Sequence, residues 1–424
     1  MNQPLWIWCI FPSVAMSLGW MLRGTIGGGF LGAMIPGAMV ALALCLLLKR
    51  ETGAGLAAGL AAVGVGFGGQ ETYGQTVGLS LNAETYWWAI LGFFLKGGVW
   101  GLLGGAVIGI SFSKRLHKTS DLLVSFGLMI AGTYAGWRLV DRPKLMYFSD
   151  PLVKPREEMW FGLLVGALLL LVWLAIRSGA GARLPMQFAL WGFVGGSAGF
   201  ALGAAAQAWG RPNAPSFPFG WWKFMEMTFG ALLGLAYGYC AWRNRSQIEP
   251  QPARSPAHAT LPALAWGMLS IAIVVLLEPR LHVRFESTVA GALLLGIALY
   301  SEAFAWQTGI TTTFCAFAID LNRNRPILPP EYAWTLIALS TLAVAIFVAR
   351  RPRALDTFLL LMWTGTLVAL LKFHLPPSGN RESAVLEGVF VLYAVLSSLW
   401  AWRTALLLRA GSRHPDGQAQ DGRE

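Results

Sequence analysis

The sequence predicts an all-α, polytopic transmembrane helix bundle, and three observations carry that expectation. Hydrophobic residues make up 55% of the 424, charged residues only 12%, and the mean hydropathy is +0.55. Soluble domains carry about 25% charged residues. Apolar runs recur at close to the ~20 residues needed to cross hydrocarbon, where only helices and closed barrels satisfy the backbone. The basic residues fall in short clusters between those runs: Lys49–Arg50, Lys114–Arg115–Lys118, Arg177 and Arg183, Arg243 and Arg245, and Arg350–Arg351–Arg353. That is the pattern the positive-inside rule produces. It also removes nucleic acid as the partner implied by the net charge of +11, because the charge forms no continuous patch.

In chain order, the runs at 5–22, 24–48, 53–70, 85–112, 121–140, 159–176, 184–209 and 220–242 are expected to span. After a linker come 262–277, 287–302, 304–319, 332–349, 355–373 and 384–403. The expectation is therefore roughly 14 spans, within a range of about 12–14 because hydropathy reads span ends poorly. The segment 304–319, FAWQTGITTTFCAFAI, is short and Thr-rich and either spans or re-enters. Retaining it as a span keeps Arg350–Arg353 on the same side as the other basic clusters. Both termini are then cytoplasmic, in the plasma (inner) membrane. The start, MNQPLWIWCIF, has no basic n-region and no small-residue cleavage site, so it reads as a retained first helix.

Residues 243–261, RNRSQIEPQPARSPAHATL, are polar and Pro-rich and read as a cytoplasmic linker. They divide a Gly-rich bundle, 1–242, which carries the candidate site, from a second bundle, 262–405. Most of the 50 glycines precede the linker, as expected of closely packed membrane helices. Residues 406–424 read as a disordered cytoplasmic tail.

A faint parallel repeat runs through the first half. Trp20-x3-Gly24-x3-Gly28-x3-Gly32-Ala33 aligns with Trp191-x3-Gly195-x3-Gly199-x3-Gly203-Ala204. Gly101, Gly105 and Gly109 align with Gly230, Gly234 and Gly238, each set following a Trp pair (Trp87–Trp88 and Trp221–Trp222). Chance competes with homology here, since Gly-x3-Gly is common in membrane helices.

Charged residues at membrane depth are the first candidates for a site. If Trp87–Trp88 mark the headgroup level, Lys96 lies ~12 Å into the hydrocarbon. Its alternative role is a snorkelling lysine. Glu226 shares a helix face with Gly230, Gly234 and Gly238 and so points into a helix seam. It is expected either to pair locally with Lys223 or to line a polar cleft opposite Lys96.

Gln70, Glu71 and Tyr73 sit in the glycine-broken turn GGQETYGQ, a hydrogen-bonding cluster for a polyhydroxylated or charged ligand, or else a hydrated loop. Arg23, in GWMLRGTIGGG, is placed either in an external turn or in a broken helix, beside backbone suited to an anion. The loop 141–158, DRPKLMYFSDPLVKPREE, carries Arg142 and Arg156 for a phosphate or carboxylate, set against a plainer reading of headgroup contact and salt bridges within the loop.

Familiar chemistry is missing. The five His show no zinc spacing, the acids form no metal box, no Ser–His–Asp set is spaced for catalysis, and no P-loop occurs. The four cysteines lie inside spans and read as small hydrophobes. No metal and no cofactor is expected, and no catalytic residue is assigned.

The expected partners are the lipid bilayer and a small polar solute or a lipid-linked substrate, in a homo-oligomer or with other membrane subunits. The leading functional expectation is a transporter or channel-like protein for a polar, anionic or sugar-like solute. The alternatives are a membrane-embedded transferase acting at the outer leaflet on a lipid-linked substrate, and a structural subunit of a membrane complex.

Overall fold

The computed structural model describes residues 3–51, 53–71, 73–150, 156–248, 284–324, 326, 328–374 and 384–411, with scattered residues between 262 and 273. Every regular element among them is helical. The first half comprises α1 (Leu5–Ile26), α2 (Gly29–Leu47), α3 (Gly55–Gly68), α4 (Gly74–Ser80), α5 (Tyr86–Phe112), α6 (Thr119–Gly136), α7 (Trp160–Ser178), α8 (Arg183–Asn213) and α9 (Trp221–Arg243). The second comprises α10 (Arg284–Tyr300), α11 (Glu302–Trp306), α12 (Thr312–Asn324), α13 (Pro330–Arg350), α14 (Ala354–His374) and α15 (Ala384–Gly411).

Among the described residues, eight helical stretches are long and apolar enough to cross a membrane, one of them the joined pair α7–α8. Two shorter apolar helices are Gly55–Gly68 and Ser287–Tyr300. The expected segment 304–319 lies in a continuous helical run that passes from α11 through a π-turn, Gln307–Thr311, into α12. The described residues between 262 and 273 are helical. Most of the expected linker, from 249 onward, lies outside the described residues, as does the tail beyond Gly411.

Glycine sets the packing. Going up α5, Gly97, Gly101, Gly105 and Gly109 lie against Gly196, Gly192, Phe188 and Pro185, going down α8. Rising numbers against falling ones define an antiparallel pair. Gly195, Gly199 and Gly203 of α8 meet Leu232, Phe229 and Met225 of α9 in the same manner. Gly230, Gly234 and Gly238 of α9 then rest on Met16, Pro12 and Trp8 of α1.

With the α1–α2, α2–α3 and α3–α5 contacts, these seams close a ring of six alternating helices in the order α1, α2, α3, α5, α8, α9. At the α1–α2, α2–α3, α5–α8, α8–α9 and α1–α9 crossings a Cβ would strike the neighbour's backbone, so those helices approach to main-chain contact, whereas on α3 Gly64 and Gly68 make room for the Val107 and Trp100 side chains of α5. Helices α6 and α7 form an outer antiparallel pair, and α10, α11, α14 and α15 seat on α1–α3.

The α1–α2 connection decides between the two expectations for Arg23. Gly19 lies on Pro36 and Gly32 on the Arg23 side chain, so α1 and α2 are a hairpin folding back at Gly27–Gly28. Gly29 opens α2 at φ +74°, where a side chain would be strained. By contrast, Trp191–Gly203 runs unbroken within α8. The first pair of aligned stretches therefore has two different structures, a hairpin and a straight helix. The second pair, Gly101–Gly109 and Gly230–Gly238, consists of helix seams facing different neighbours, α8 and α1.

The middle of the ring is filled. Trp20, Trp100, Phe200 and Phe229 are all buried. Trp20 stands edge-on to Trp100 with ring centroids 4.6 Å apart, and Phe200 stacks on Phe229 at 4.5 Å. The Trp100 indole is satisfied by the Val65 carbonyl at 2.7 Å and the Tyr237 hydroxyl by the Gly101 carbonyl at 2.7 Å.

Candidate functional site

One end of the ring collects the polar side chains: the ends of α1 and α3 and the starts of α2, α5 and α9 meet there. They form two charge centres and a cavity.

The first centre is built on Lys96, in the third turn of α5. It is 1% exposed, and its ammonium bonds Glu158 at 2.7 Å, Glu71 at 3.2 Å and the Thr76 hydroxyl at 3.0 Å. Glu158 also accepts from the Phe148 amide at 3.1 Å and the Ser149 hydroxyl at 2.7 Å. The other oxygen of Glu71 accepts the Met159 amide at 2.8 Å. Lys96 thus neither snorkels nor meets Glu226. It ties α5 to α4, to the α3–α4 turn and to the loop before α7. Glu158 is held within its own loop by Phe148 and Ser149 and also reaches Lys96 of α5. Nearby, Asp141 accepts the Gly162 amide at 2.9 Å, so that the π-turn ending α6 caps α7.

The second centre is built on Arg23 and Glu226. Arg23 Nη1 donates to the Tyr73 hydroxyl at 2.7 Å, and that hydroxyl donates to Glu226 at 3.2 Å. Glu226 is further held by the Trp222 indole at 2.9 Å and by Lys223 at 3.0 Å. Local pairing with Lys223 is therefore present, and the carboxylate still borders a cleft. Its oxygens lie over Gly24, where a Cβ would overlap them.

The Arg23 guanidinium sits 5.1 Å from the Trp20 and Trp100 ring centroids and 5.3 Å from that of Tyr73. Among the described residues it pairs with no carboxylate, and its Nε, buried, has no hydrogen-bond partner.

A cavity of about 510 Å³ opens above this centre, lined by Arg23, Gly28, Gly29 and Phe30 of the α1–α2 hairpin and by Gln70, Glu71, Tyr73, Trp222 and Glu226, with Arg156 and Ser287 also on its walls. The aromatic fill of the ring lies beneath Arg23. Gln70 is 6% exposed; its carbonyl oxygen accepts the Thr288 hydroxyl of α10 at 2.7 Å, and its Nε2 has no partner. The α2 N-terminus at Gly28–Gly29 carries no side-chain cap.

Of the eight expected site residues, Arg23, Gln70, Glu71, Tyr73, Arg156 and Glu226 line one cavity. Lys96 is buried behind Glu71, outside the lining. Arg142 is exposed and stacks on Trp137, 5.6 Å from the ring centroid. Thr72, from the same turn, and Lys154 lie outside the described residues.

Sequence reasoning gave no role to Ser287, Thr288 or the Asp320–Lys372 pair. Lys372 donates to Asp320 at 2.7 Å and to the Ile26 carbonyl at 2.5 Å, which pins the α1–α2 turn from the second half. No local pattern links residues so far apart in the chain. The one legible signal was their charge within or beside apolar runs.

Among the described residues no group of His, Cys, Asp and Glu is placed to hold a metal. Compared with protein-family models, with curated proteins and with solved structures, the chain matches none of them. The long apolar helices are compatible with a membrane protein.

Proposed function

We propose that this chain is a multi-pass carrier of about 14 spans that takes a small polar solute into the cavity at the end of the helix ring. The observation that supports it is the cavity itself: six expected polar residues converge on one space of about 510 Å³, a size suited to a small molecule. The aromatic fill beneath Arg23 argues for a carrier over an open channel.

The basic clusters Lys49–Arg50, Lys114–Arg115, Arg243–Arg245 and Arg350–Arg353 lie at the bundle end opposite the cavity. The positive-inside rule then supports both termini being cytoplasmic and the cavity facing out, in a protein we place in the plasma membrane. Reporter fusions after Gly411 and within the 214–220 loop test that orientation.

Reconstitution into liposomes tests the function. The vesicles are bathed in a mixture of polar metabolites and their lumen is assayed by mass spectrometry, with enrichment of a solute dependent on the protein as the expected result. A second reading, a transferase working on a lipid-linked substrate at the outer leaflet, is favoured by the cavity opening at one bundle end and by the glycine-locked walls. It predicts a chemically altered lipid or solute with no enrichment inside. If neither is found, both readings fail.

A further inference from the structure

We infer that the cavity's ligand is held by an oxyanion, a carboxylate or a phosphate, at a subsite made by Arg23, Gln70 and the first amides of α2. The inference rests on the cavity being a ligand site and adds the chemistry of what enters it.

The argument is an inventory of unmet hydrogen bonding. The carboxylates on the wall are occupied: Glu226 accepts from Tyr73, Trp222 and Lys223, and Glu71 pairs with Lys96 and accepts the Met159 amide. The phenol of Tyr73 both accepts and donates. Apart from the Ser287 hydroxyl, which can do either, the side-chain groups that remain open on the wall are donors. Arg23, 4% exposed, has a buried Nε without a partner, and Gln70, 6% exposed, has a buried Nε2 without one.

The 19-residue α2 begins at the same wall with no side-chain cap. The amides of its first turn have no partner within the helix and point out along its axis, where the positive end of the helix dipole favours negative charge. Arg156 adds a further cation on the cavity wall. A neutral polyol would need acceptors as well as donors, and this wall offers few that are not already engaged.

The arrangement also accounts for a buried guanidinium lacking a carboxylate. Taking such a charge out of water is costly unless it is paired. The three rings around Arg23 offset part of that cost by cation–π attraction. They attract the cation without using its Nε, so that donor stays open to a ligand oxygen. The Gly27–Gly29 turn contributes by removing side chains: no atom lies within 4 Å of where a Cβ on Gly28 would be, so a ligand can approach the α2 amides directly.

The test uses the full chain in lipid nanodiscs and titration calorimetry with inorganic phosphate, acetate and glucose. Binding of phosphate or acetate, and weak or absent binding of glucose, is the expected result; which oxyanion binds more tightly distinguishes a phosphate from a carboxylate ligand. Gln70→Met, which keeps the side chain's length and removes its donor, is expected to weaken oxyanion binding at least tenfold. Arg23→Lys, which keeps the charge and loses the Nε donor, is expected to do the same. Far-ultraviolet circular dichroism checks that both variants retain their helix content. Glucose binding without oxyanion binding overturns this inference and leaves the cavity as a ligand site. Binding of none of the three, with protein shown to be folded, overturns both. Oxyanion binding unchanged in both variants places the anion elsewhere and overturns the subsite.

Discussion

Gly24 has no side chain, and the carboxylate of Glu226 uses the space. Gly24→Ala is expected to push that carboxylate off the Tyr73 hydroxyl and Lys223. Ligand affinity should drop by about tenfold, ~1.4 kcal/mol, with helix content unchanged by circular dichroism. Lys96 should behave differently, because it lies outside the cavity lining. Lys96→Met leaves Glu71 and Glu158 facing each other in a buried site without a cation, and losing one partner of a buried ion pair costs about 3–5 kcal/mol. The expected outcome is a sharply lower thermal midpoint in detergent, rather than a folded protein with altered affinity.

His117 provides a pH prediction at the opposite end of the bundle. Its ring nitrogens sit 3.1 Å from the Ser113 hydroxyl and 2.7 Å from that of Ser178. Burial lowers its pKa, and the Lys114 charge lowers it further against the opposing pull of Asp121. The folded state therefore binds a proton less readily than the unfolded state does. Stability from this group is present above the ordinary imidazole value of about 6.5 and is lost as pH falls through it, levelling off below the folded pKa. The thermal midpoint should fall between about pH 7 and 5, and His117→Gln should flatten that fall.

At the scale of the helix, glycines divide into two groups that look alike in sequence. Gly101 and Gly192 put two backbones in contact, whereas Gly127 has nothing within 4 Å of where its Cβ would lie. Gly101→Leu is expected to force α5 from α8 and abolish the monodisperse peak in size-exclusion chromatography. Gly127→Leu is expected to elute as the parent does. The x3 spacing identified helices that pack closely, but not their neighbours. Spacing is a property of one helix, while a seam is a property of two. That is also why Trp20–Gly32 and Trp191–Gly203 share a faint spacing in sequence and yet fold as a hairpin and an unbroken helix.

At the scale of the whole molecule, the second half bears directly on the cavity. Asp320 of α12 and Lys372 of α14 clamp the turn whose far side forms the cavity wall, and Thr288 of α10 orients Gln70. Lys372→Ala is expected to weaken ligand binding several-fold even though Lys372 lies outside the cavity lining, with Lys372→Arg retaining most of it. Calorimetry with the oxyanion that binds the parent protein measures both.

Hydrophobic run lengths and the placement of basic clusters determined the helical membrane class and located nearly every described helix, because the bilayer constrains each span one at a time. Charge inside an apolar run likewise marked Lys96 and Glu226 as residues needing a partner. The i, i+3 spacing already named Lys223 for Glu226, whereas the long-range partners were a matter for the tertiary structure alone. Lys96 reaches Glu158, 62 residues on, and Arg23 reaches Tyr73, 50 residues on, because ring closure brings those helix ends together. A buried charge takes the neighbour that packing supplies, and packing depends on all six helices at once.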